Sequence, residues 1–160
     1  VGPIHKSDVG GVVLNIRSDE HLALEFDRLM KIPDTTSVMI QPMLSGQELF
    51  IGAKYESKFG HIVLCGLGGI FVEILKDVAS GLAPLSFNEA RSMVRSLRAY
   101  KIIKGVRGQK GLNEDLFVEI IVRLSVMLRF APEIKEMDIN PLLANDEKVI
   151  AVDARIRIEK

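Results

Sequence analysis

Three apolar segments follow one another between residues 37 and 67, with only short turns between them. SVMIQPML is separated from ELFIGAKYE by SGQ, and HIVLCGL follows after SKFG. Connections this short join antiparallel strands, because a parallel pair needs a crossover of about a dozen residues or more. The order therefore favours an α+β architecture with a mostly antiparallel sheet over a doubly wound parallel sheet.

Helices and further strands are predicted on both sides of this run. Ser18 precedes two acidic residues, which is typical of a helix N-cap, and Ser86 with Glu89 forms an S-x-x-E capping box. The segment GGIFVEILKDVASGLAPL is ambiguous, and its first glycines and Pro84 favour extended structure. The other predicted elements are a strand over Val9–Ile16, a helix from Ser18 to about Lys31, a helix after Ser86, a helix over about Glu114–Phe130 with Asn113 as its cap, and a terminal strand pair.

The composition suits one globular domain, since the chain has 160 residues and 48% of them are hydrophobic. Its 21 basic and 21 acidic residues balance, which argues against nucleic acid or a membrane surface as a partner. Cys65 is the single cysteine, so no internal disulfide can form and a cytoplasmic location is expected. Val1 opens the loop-like stretch VGPIHKSD, and we expect a piece of a longer polypeptide.

The closing stretch EMDINPLLANDEKVIAVDARI alternates apolar and polar residues over two predicted strands. The predicted apolar face carries Met137, Ile139, Leu143, Ile150, Val152, Ala154 and Ile156. With Asp146 and Glu147 as the turn, the register pairs Asn145 with Lys148, Asn140 with Asp153, and Asp138 with Arg155. A slip of one residue would turn Asp153 into the core, so the apolar pattern itself enforces this register.

The pairing of Asn140 with Asp153 predicts a possible cation site. Directly opposed Cβ atoms lie about 4.5–5.5 Å apart, so the two side-chain oxygens can share one ion. Mg²⁺ prefers oxygen and takes only one or two protein carboxylates beside phosphate and water. The alternative is the solvent-facing side of an edge hairpin, with an ordinary cross-strand pair of Asp138 and Arg155.

Two glycine pairs and one basic stretch could bind phosphate. Gly68 and Gly69 follow an apolar strand, where bare backbone amides can approach an anion, although a plain tight turn is the alternative. HKSDVGGV places His5 beside the other glycine pair; the loop could cradle phosphate, carry a phosphoryl group on the imidazole, or simply be flexible. Glu73 and Asp77 could face the same cleft or solvent. The basic cluster of Lys101, Lys104, Arg107 and Lys110 suits either an anion site or a solvated connector.

Taken in order, these segments resemble the ATP-grasp domain of ADP-forming (NDP-forming) acyl-CoA synthetases. The stretches that carry the resemblance are HKSDVGGVVLNI, SVMIQPMLSGQELFIGAKYESKFG, CGLGGIFVEILKDVASGLAPLS, KGVRG and EMDINPLLA with VIAVDARI. The final hairpin is also similar to that of the beta subunit of succinyl-CoA synthetase. The resemblance implies the larger, C-terminal lobe of an ATP-grasp fold and the reversible conversion of acyl-CoA, ADP and phosphate into carboxylic acid, CoA and ATP. An acyl phosphate and a phosphohistidine would be intermediates.

The resemblance also implies roles for individual residues. By this likeness Asn140 and Asp153 would hold Mg²⁺ on ATP or ADP, and Asp138 would steady the phosphohistidine of another domain. Gln41, Pro42 and Met43 would meet adenine, Glu48 would reach the ribose, and Gly68 with Gly69 would lie near the phosphates. His5 would be a second phosphoryl relay. The implied partners are the CoA-binding and ligase domains or a separate subunit, in an oligomeric full-length enzyme.

The chain departs from the family pattern in three respects. The small N-terminal lobe is missing from 1–160, and so are the CoA-binding and ligase domains. The family commonly has Asp-Pro and a later Gly-Pro where this chain has Glu56-Ser57 and Gly60-His61. Two other functions therefore stay open, a regulatory nucleotide-binding module fused to a protein acetyltransferase and a structural fragment that has lost nucleotide binding.

Overall fold

The structure is a computed structural model that describes residues 10–106, 108 and 110–159. The chain divides into two compact units, Val1–Leu44 and Ser45–Lys160, and each is described by itself. The elements are α1 (Asp19–Leu29), β1 (Gln47–Glu56), β2 (Gly60–Leu67), α2 (Ile70–Glu73), β3 (Val78–Leu82), α3 (Phe87–Ser96), α4 (Tyr100–Lys104), α5 (Glu114–Phe130), β4 (Ile134–Ala144), β5 (Val149–Ala151) and β6 (Ala154–Ile158).

The first unit contains the predicted first helix. The Ser18 hydroxyl accepts the His21 backbone N–H at 3.2 Å, which satisfies one of the free donors at the start of α1. The strand predicted over Val9–Ile16 is absent from the described residues 10–16, and the strand SVMIQPML is absent from 37–44. Both predictions were wrong because an apolar run becomes a strand only where a neighbouring strand takes up its backbone hydrogen bonds. The described part of this unit supplies no such neighbour.

The second unit is built on a six-stranded sheet in which every pairing is antiparallel. Its order is β3-β2-β1-β4-β5, and β6 also pairs with β4. The predicted strands ELFIGAKYE and HIVLCGL are confirmed as β1 and β2, and they pair through the tight turn after Glu56. The expected α+β architecture is therefore confirmed.

Helices α3 and α5 cover one face of this sheet. Leu49, Ile51 and Val63 from the central strands are fully buried there, and they share a core with Phe117 and Val94 of the helices. We call this side the helix-packed face. Both helices begin as predicted: the Ser86–Glu89 capping box is present, and the Asn113 side chain accepts the Leu116 backbone N–H at 3.0 Å. Helix α5 spans the range predicted for it.

The ambiguous segment after β2 divides into a short helix and a strand. Extended structure is correct for β3, whereas residues 70–73 form helix α2. Asp77 lies between them and is 6% exposed. Its carboxylate oxygens accept the backbone N–H groups of Arg98 and Ala99 at 2.9 and 2.8 Å, so it orders the connection between α3 and α4. Asp77 therefore faces neither the predicted cleft nor solvent.

The terminal hairpin adopts the predicted register. Asp138 is the partner of Arg155, and the Asn145 N–H donates to the Lys148 carbonyl at 2.9 Å. The second predicted strand is divided into β5 and β6 by 152–153. Its predicted apolar face lies at an edge of the sheet and stays exposed, with Ile150, Val152 and Ile156 among the exposed apolar side chains.

Candidate functional site

The sheet has a second face, which alternate residues of the same strands line. Residues directly opposed on antiparallel strands share a face, so the pairing of Gly52 with Asp138 and of Asp138 with Arg155 places these three residues together. Glu48 lies on the same side, two positions from Phe50 and four from Gly52 along β1. We call this side the site face.

The hairpin brings the predicted cation ligands together on this face. The Asn140 backbone N–H donates to the Asp153 carbonyl at 3.2 Å, and the Val152 N–H donates to the Pro141 carbonyl at 3.0 Å. Asn140 and Asp153 are therefore direct cross-strand neighbours, as the sequence predicted. Asp138 stands two pairs further along, opposite Arg155, beyond the pair of Ile139 and Ala154.

A β-bulge re-aims the middle of β4. Leu49 pairs with Leu142 and Ile51 pairs with Ile139, so Phe50 of β1 is opposed by two residues, Asn140 and Pro141. The extra residue reverses the alternation of β4, so that Leu142 and Ala144 are buried on the helix-packed face. Leu143 is instead the partner of Glu48, and its predicted place on the apolar face was wrong.

The glycine turn after β2 lies against Glu48. The Gly68 N–H donates to the Glu48 carbonyl at 2.8 Å, and a Cβ at Gly68 would come within 2.9 Å of the Glu48 Cβ. Gly69 has a φ of +58°, and a Cβ there would lie 2.9 Å from the Glu48 carboxylate oxygen Oε2. Glycine at both positions lets the Glu48 side chain fold over the turn. Three of the predicted nucleotide-binding residues are therefore in one place.

The electrostatics of the site centre on Asp138. Burial raises the pKa of the Asp138 carboxyl above its usual value. The nearby Arg155 guanidinium opposes this shift, and the negative charges of Asp153 and Glu136 add to the rise in pKa. A carboxylate in this setting gains from a cation or a hydrogen-bond donor that approaches it.

The donor set fits Mg²⁺ held together with phosphate groups. Among the described residues, no group of three His, Cys, Asp or Glu side chains could enclose a metal ion. Asn140 and Asp153 nevertheless supply two hard oxygen donors on a paired backbone, which matches the one or two protein ligands that Mg²⁺ takes at phosphate sites. The side-chain amide of Asn140 has no hydrogen-bond partner in the described part of the chain. Among the same described residues, the Asp153 carboxylate has one ion-pair contact, at 3.6 Å from Arg155.

Other predicted site residues lie elsewhere. Gln41, Pro42 and Met43 are exposed at the end of the first unit, whereas Glu48 belongs to the second. Glu73 is exposed at the end of α2. His5 and Arg107 lie outside the described residues.

The basic residues Lys101, Lys104 and Lys110 lie partly on a helix rather than in one loop. Lys101 and Lys104 are exposed on helix α4, which the sequence analysis missed. The Lys110 ammonium group pairs with Asp146 of the hairpin turn at 2.8 Å. The contact of Arg155 with Asp153 was not predicted; their spacing of two residues in the predicted second strand could have indicated it, because such residues share a face.

Comparison with known proteins identifies the fold class. The chain belongs to the ATP-grasp domain family, whose sequence profile matches residues 3–158. The beta subunit of ADP-forming acetate–CoA ligase I from Pyrococcus furiosus is 44% identical over 161 residues, which cover 96% of this chain and 69% of that subunit. ADP-forming acetate–CoA ligase II from Archaeoglobus fulgidus is 41% identical over 154 residues, and the chain spans 23% of its length.

A solved structure shares the fold. The acetyl-coenzyme A synthetase 1 of Ca. Korarchaeum cryptofilum, in complex with coenzyme A and Mg-AMPPCP, superposes with a TM-score of 0.85 at 35% identity. The match covers 99% of this chain and 74% of that chain, whose phosphohistidine segment points towards its nucleotide binding site. The family resemblance and the ATP-grasp fold are therefore confirmed. None of the described helices is long and apolar enough to cross a membrane.

Proposed function

We propose that this chain is the nucleotide-binding ATP-grasp part of an ADP-forming acyl-CoA synthetase. The enzyme would convert acyl-CoA, ADP and phosphate reversibly into a carboxylic acid, CoA and ATP. The observation that carries the proposal is the register that sets Asn140 across from Asp153, with Asp138 beside them on one face. The ADP-forming ligases among its relatives support the choice of reaction.

Asn140 and Asp153 are the proposed protein ligands of Mg²⁺. The paired backbone of the hairpin holds the two residues directly opposite each other, so both side-chain oxygens can reach one ion. When bound, Mg²⁺ supplies charge neutralisation at the phosphates, which is what phosphoryl transfer needs most from a protein site.

The nucleotide itself would lie along the edge formed by Glu48 and the glycine turn. The Glu48 carboxylate can accept hydrogen bonds from ribose hydroxyls, and Gly68 and Gly69 add no side chain of their own beside it. Gln41, Pro42 and Met43 are proposed to contact adenine. These residues carry exposed backbone and apolar surface in the segment that leads to β1.

Asp138 is proposed to steady a phosphohistidine presented by another domain. One imidazole nitrogen carries the phosphoryl group, and the other can donate its N–H to a carboxylate. The pKa of Asp138 is raised chiefly by partial desolvation, so a hydrogen-bond donor that approaches the carboxylate would stabilise its charged form. His5 is proposed as a second relay on the basis of the family resemblance.

The proposed partners are the small N-terminal lobe and the CoA-binding and ligase domains of the same enzyme, in one chain or in a separate subunit. The relative from Pyrococcus furiosus is named as a beta subunit, which supports association with other parts. A cytoplasmic location and an oligomeric full-length enzyme belong to the same proposal.

The test is ATP–ADP exchange that depends on both carboxylic acid and CoA, measured with the full-length protein. Asp153→Ala and Asn140→Ala should each lower the exchange rate by more than about 100-fold. Asp146→Ala is the matched control, because Asp146 lies in the same hairpin but its carboxylate pairs with Lys110, away from the proposed ligands. Equal rates for Asp153→Ala and Asp146→Ala would overturn the site. Nucleotide binding without any dependence on acid or CoA would instead favour a regulatory module.

A further inference from the structure

Arg155 lies next to two proposed site carboxylates, those of Asp138 and Asp153, on the site face. It is the partner of Asp138 across the β4–β6 ladder, and its Nε atom lies 3.6 Å from the Asp153 carboxylate. Within the described part of the chain, no other cationic side chain pairs with Asp153. The Arg155 side chain is 84% exposed, so it can leave this carboxylate without disturbing the core.

We propose that Arg155 is an exchangeable counter-ion: it neutralises Asp153 when no nucleotide is bound, and it turns to the nucleotide phosphates when a divalent cation takes its place. The inference rests on the proposed function. It adds a positive charge for the phosphates, which neither Asn140 nor Asp153 supplies, since Asn140 is neutral and the Asp153 carboxylate repels phosphate.

The weakness of the present ion pair favours the exchange. An exposed pair separated by more than a hydrogen-bond distance is screened by water and contributes little. A divalent cation has twice the charge of Arg155 and prefers carboxylate oxygen, so Asp153 would bind such a cation in preference to the guanidinium. The Arg155 side chain would then be free to bind phosphate groups on the same face. Its planar fork matches phosphate oxygens well.

Arg157, on the same strand, has ion-pair partners outside the proposed metal site. Arg157 lies two residues further along β6, on the same face as Arg155. Its Nε atom lies 3.3 Å from a carboxylate oxygen of Glu136, and its Nη1 atom pairs with Glu159. Arg157 has two partners and stands farther from Asn140 and Asp153. It is therefore the matched control for Arg155.

The test separates metal binding from nucleotide binding in the full-length protein. Mn²⁺ alone, detected by electron paramagnetic resonance, probes the carboxylates without nucleotide; calorimetry with Mg²⁺ and ADP probes the complete site. Arg155→Gln should strengthen Mn²⁺ binding about threefold, because a nearby positive charge is removed. The same variant should weaken Mg-ADP binding about tenfold, because a charge-assisted phosphate contact is lost. Arg155→Lys should return Mn²⁺ binding to the wild-type value and recover part of the Mg-ADP affinity.

Opposite changes in the two affinities are the signature of a counter-ion, and Arg157→Gln should change both by less than twofold. If Arg155→Gln weakens both affinities, Arg155 is not an exchangeable counter-ion, although the proposed function stands. The same holds if Arg155→Gln changes the Mn²⁺ and Mg-ADP affinities no more than Arg157→Gln does. If the wild-type protein binds no Mg-ADP, the proposed function itself fails. Thermal unfolding of each variant identifies any loss of folded protein, and Arg155→Lys keeps the test valid if the glutamine variant is unstable.

Discussion

The two faces of the central sheet differ in what covers them. On the helix-packed face, Leu49 and Ile51 of β1 are completely buried, whereas Glu48 and Asp138 on the site face are exposed. Strands β1 and β4 contribute alternate residues to both environments, so a shift of one position moves a residue from the core to the site. Alternate residues of the same strands therefore contribute to stability on one face and to binding on the other. Substitutions on the two faces test whether these contributions are separate.

The largest effect on stability is expected at the centre of the helix-packed face. Ile51→Ala removes a fully buried side chain, and it should lower the free energy of unfolding by about 2–5 kcal/mol because it leaves a cavity. Denaturant unfolding measures this loss. Glu48→Ala, on the exposed side of the same strand, is the control and should change stability by less than about 0.5 kcal/mol. Equal losses for the two variants would show that the faces are not divided in this way.

Asp77 is a buried carboxylate that contributes to stability rather than to binding. Asp77→Ala leaves the backbone N–H groups of Arg98 and Ala99 without their acceptors. The free energy of unfolding should therefore fall by about 2–3 kcal/mol. Asp77→Asn keeps one acceptor and should lose less. The exposed Asp115 provides a control in Asp115→Ala. A stability loss no greater than that of the Asp115 variant would contradict the capping role.

Two glycines on the site face should respond differently to an added methyl group. A Cβ at Gly66 would lie 2.5 Å from the Asp77 carbonyl oxygen and 2.6 Å from the Phe50 ring, so Gly66→Ala should cost about 1–3 kcal/mol. A Cβ at Gly52 would meet nothing closer than 3.5 Å, and Gly52→Ala should be tolerated. Melting temperatures of the two variants test the difference. A larger loss at Gly52 than at Gly66 would reverse the expected order.

The smallest effect is a pH-dependent gain in stability from Asp138→Asn. The raised pKa of Asp138 means that the folded domain holds this proton more tightly than the unfolded chain does. Its stabilising contribution is therefore complete below the ordinary pKa of 3.8 and is lost as the pH rises through the raised value. Asp138→Asn should be more stable than wild type at neutral pH by a few tenths of a kcal/mol, because the side chain is exposed and screened.

Melting curves from about pH 3.5 to pH 7.5 measure that gain. The gap between variant and wild type should close as the solution is acidified. A constant gap across this range would show that the carboxyl group is not the cause.

Local signals were sufficient to predict the capped helices and the hairpin register. Ser18, Ser86 and Asn113 each accept a backbone N–H at a helix start, and such caps depend on a few neighbouring residues. The register followed from alternation in two strands joined by a short turn. The pairing of Asn140 with Asp153 could be predicted for the same reason.

Features that depend on distant partners could not be predicted. The stretch over 37–44 has strand-like composition, but only tertiary context decides whether a neighbouring strand is present. The bulge at Asn140 and Pro141 depends on the register with β1, which lies far away in the sequence. Asp77 was expected to face a cleft or solvent, because the backbone groups that bury it come from the turn after α3.

We propose that the site face of the hairpin holds a metal-bound nucleotide independently of the core. Calorimetric titration of the full-length protein with Mg-ADP, for wild type and Asp153→Ala, tests this independence when the melting temperature is measured on the same samples. Asp153→Ala should weaken the affinity by at least about tenfold and leave the melting temperature unchanged. An unchanged affinity, or a loss of affinity that only follows a loss of folded protein, would show that Asp153 is not a ligand of the metal-bound nucleotide.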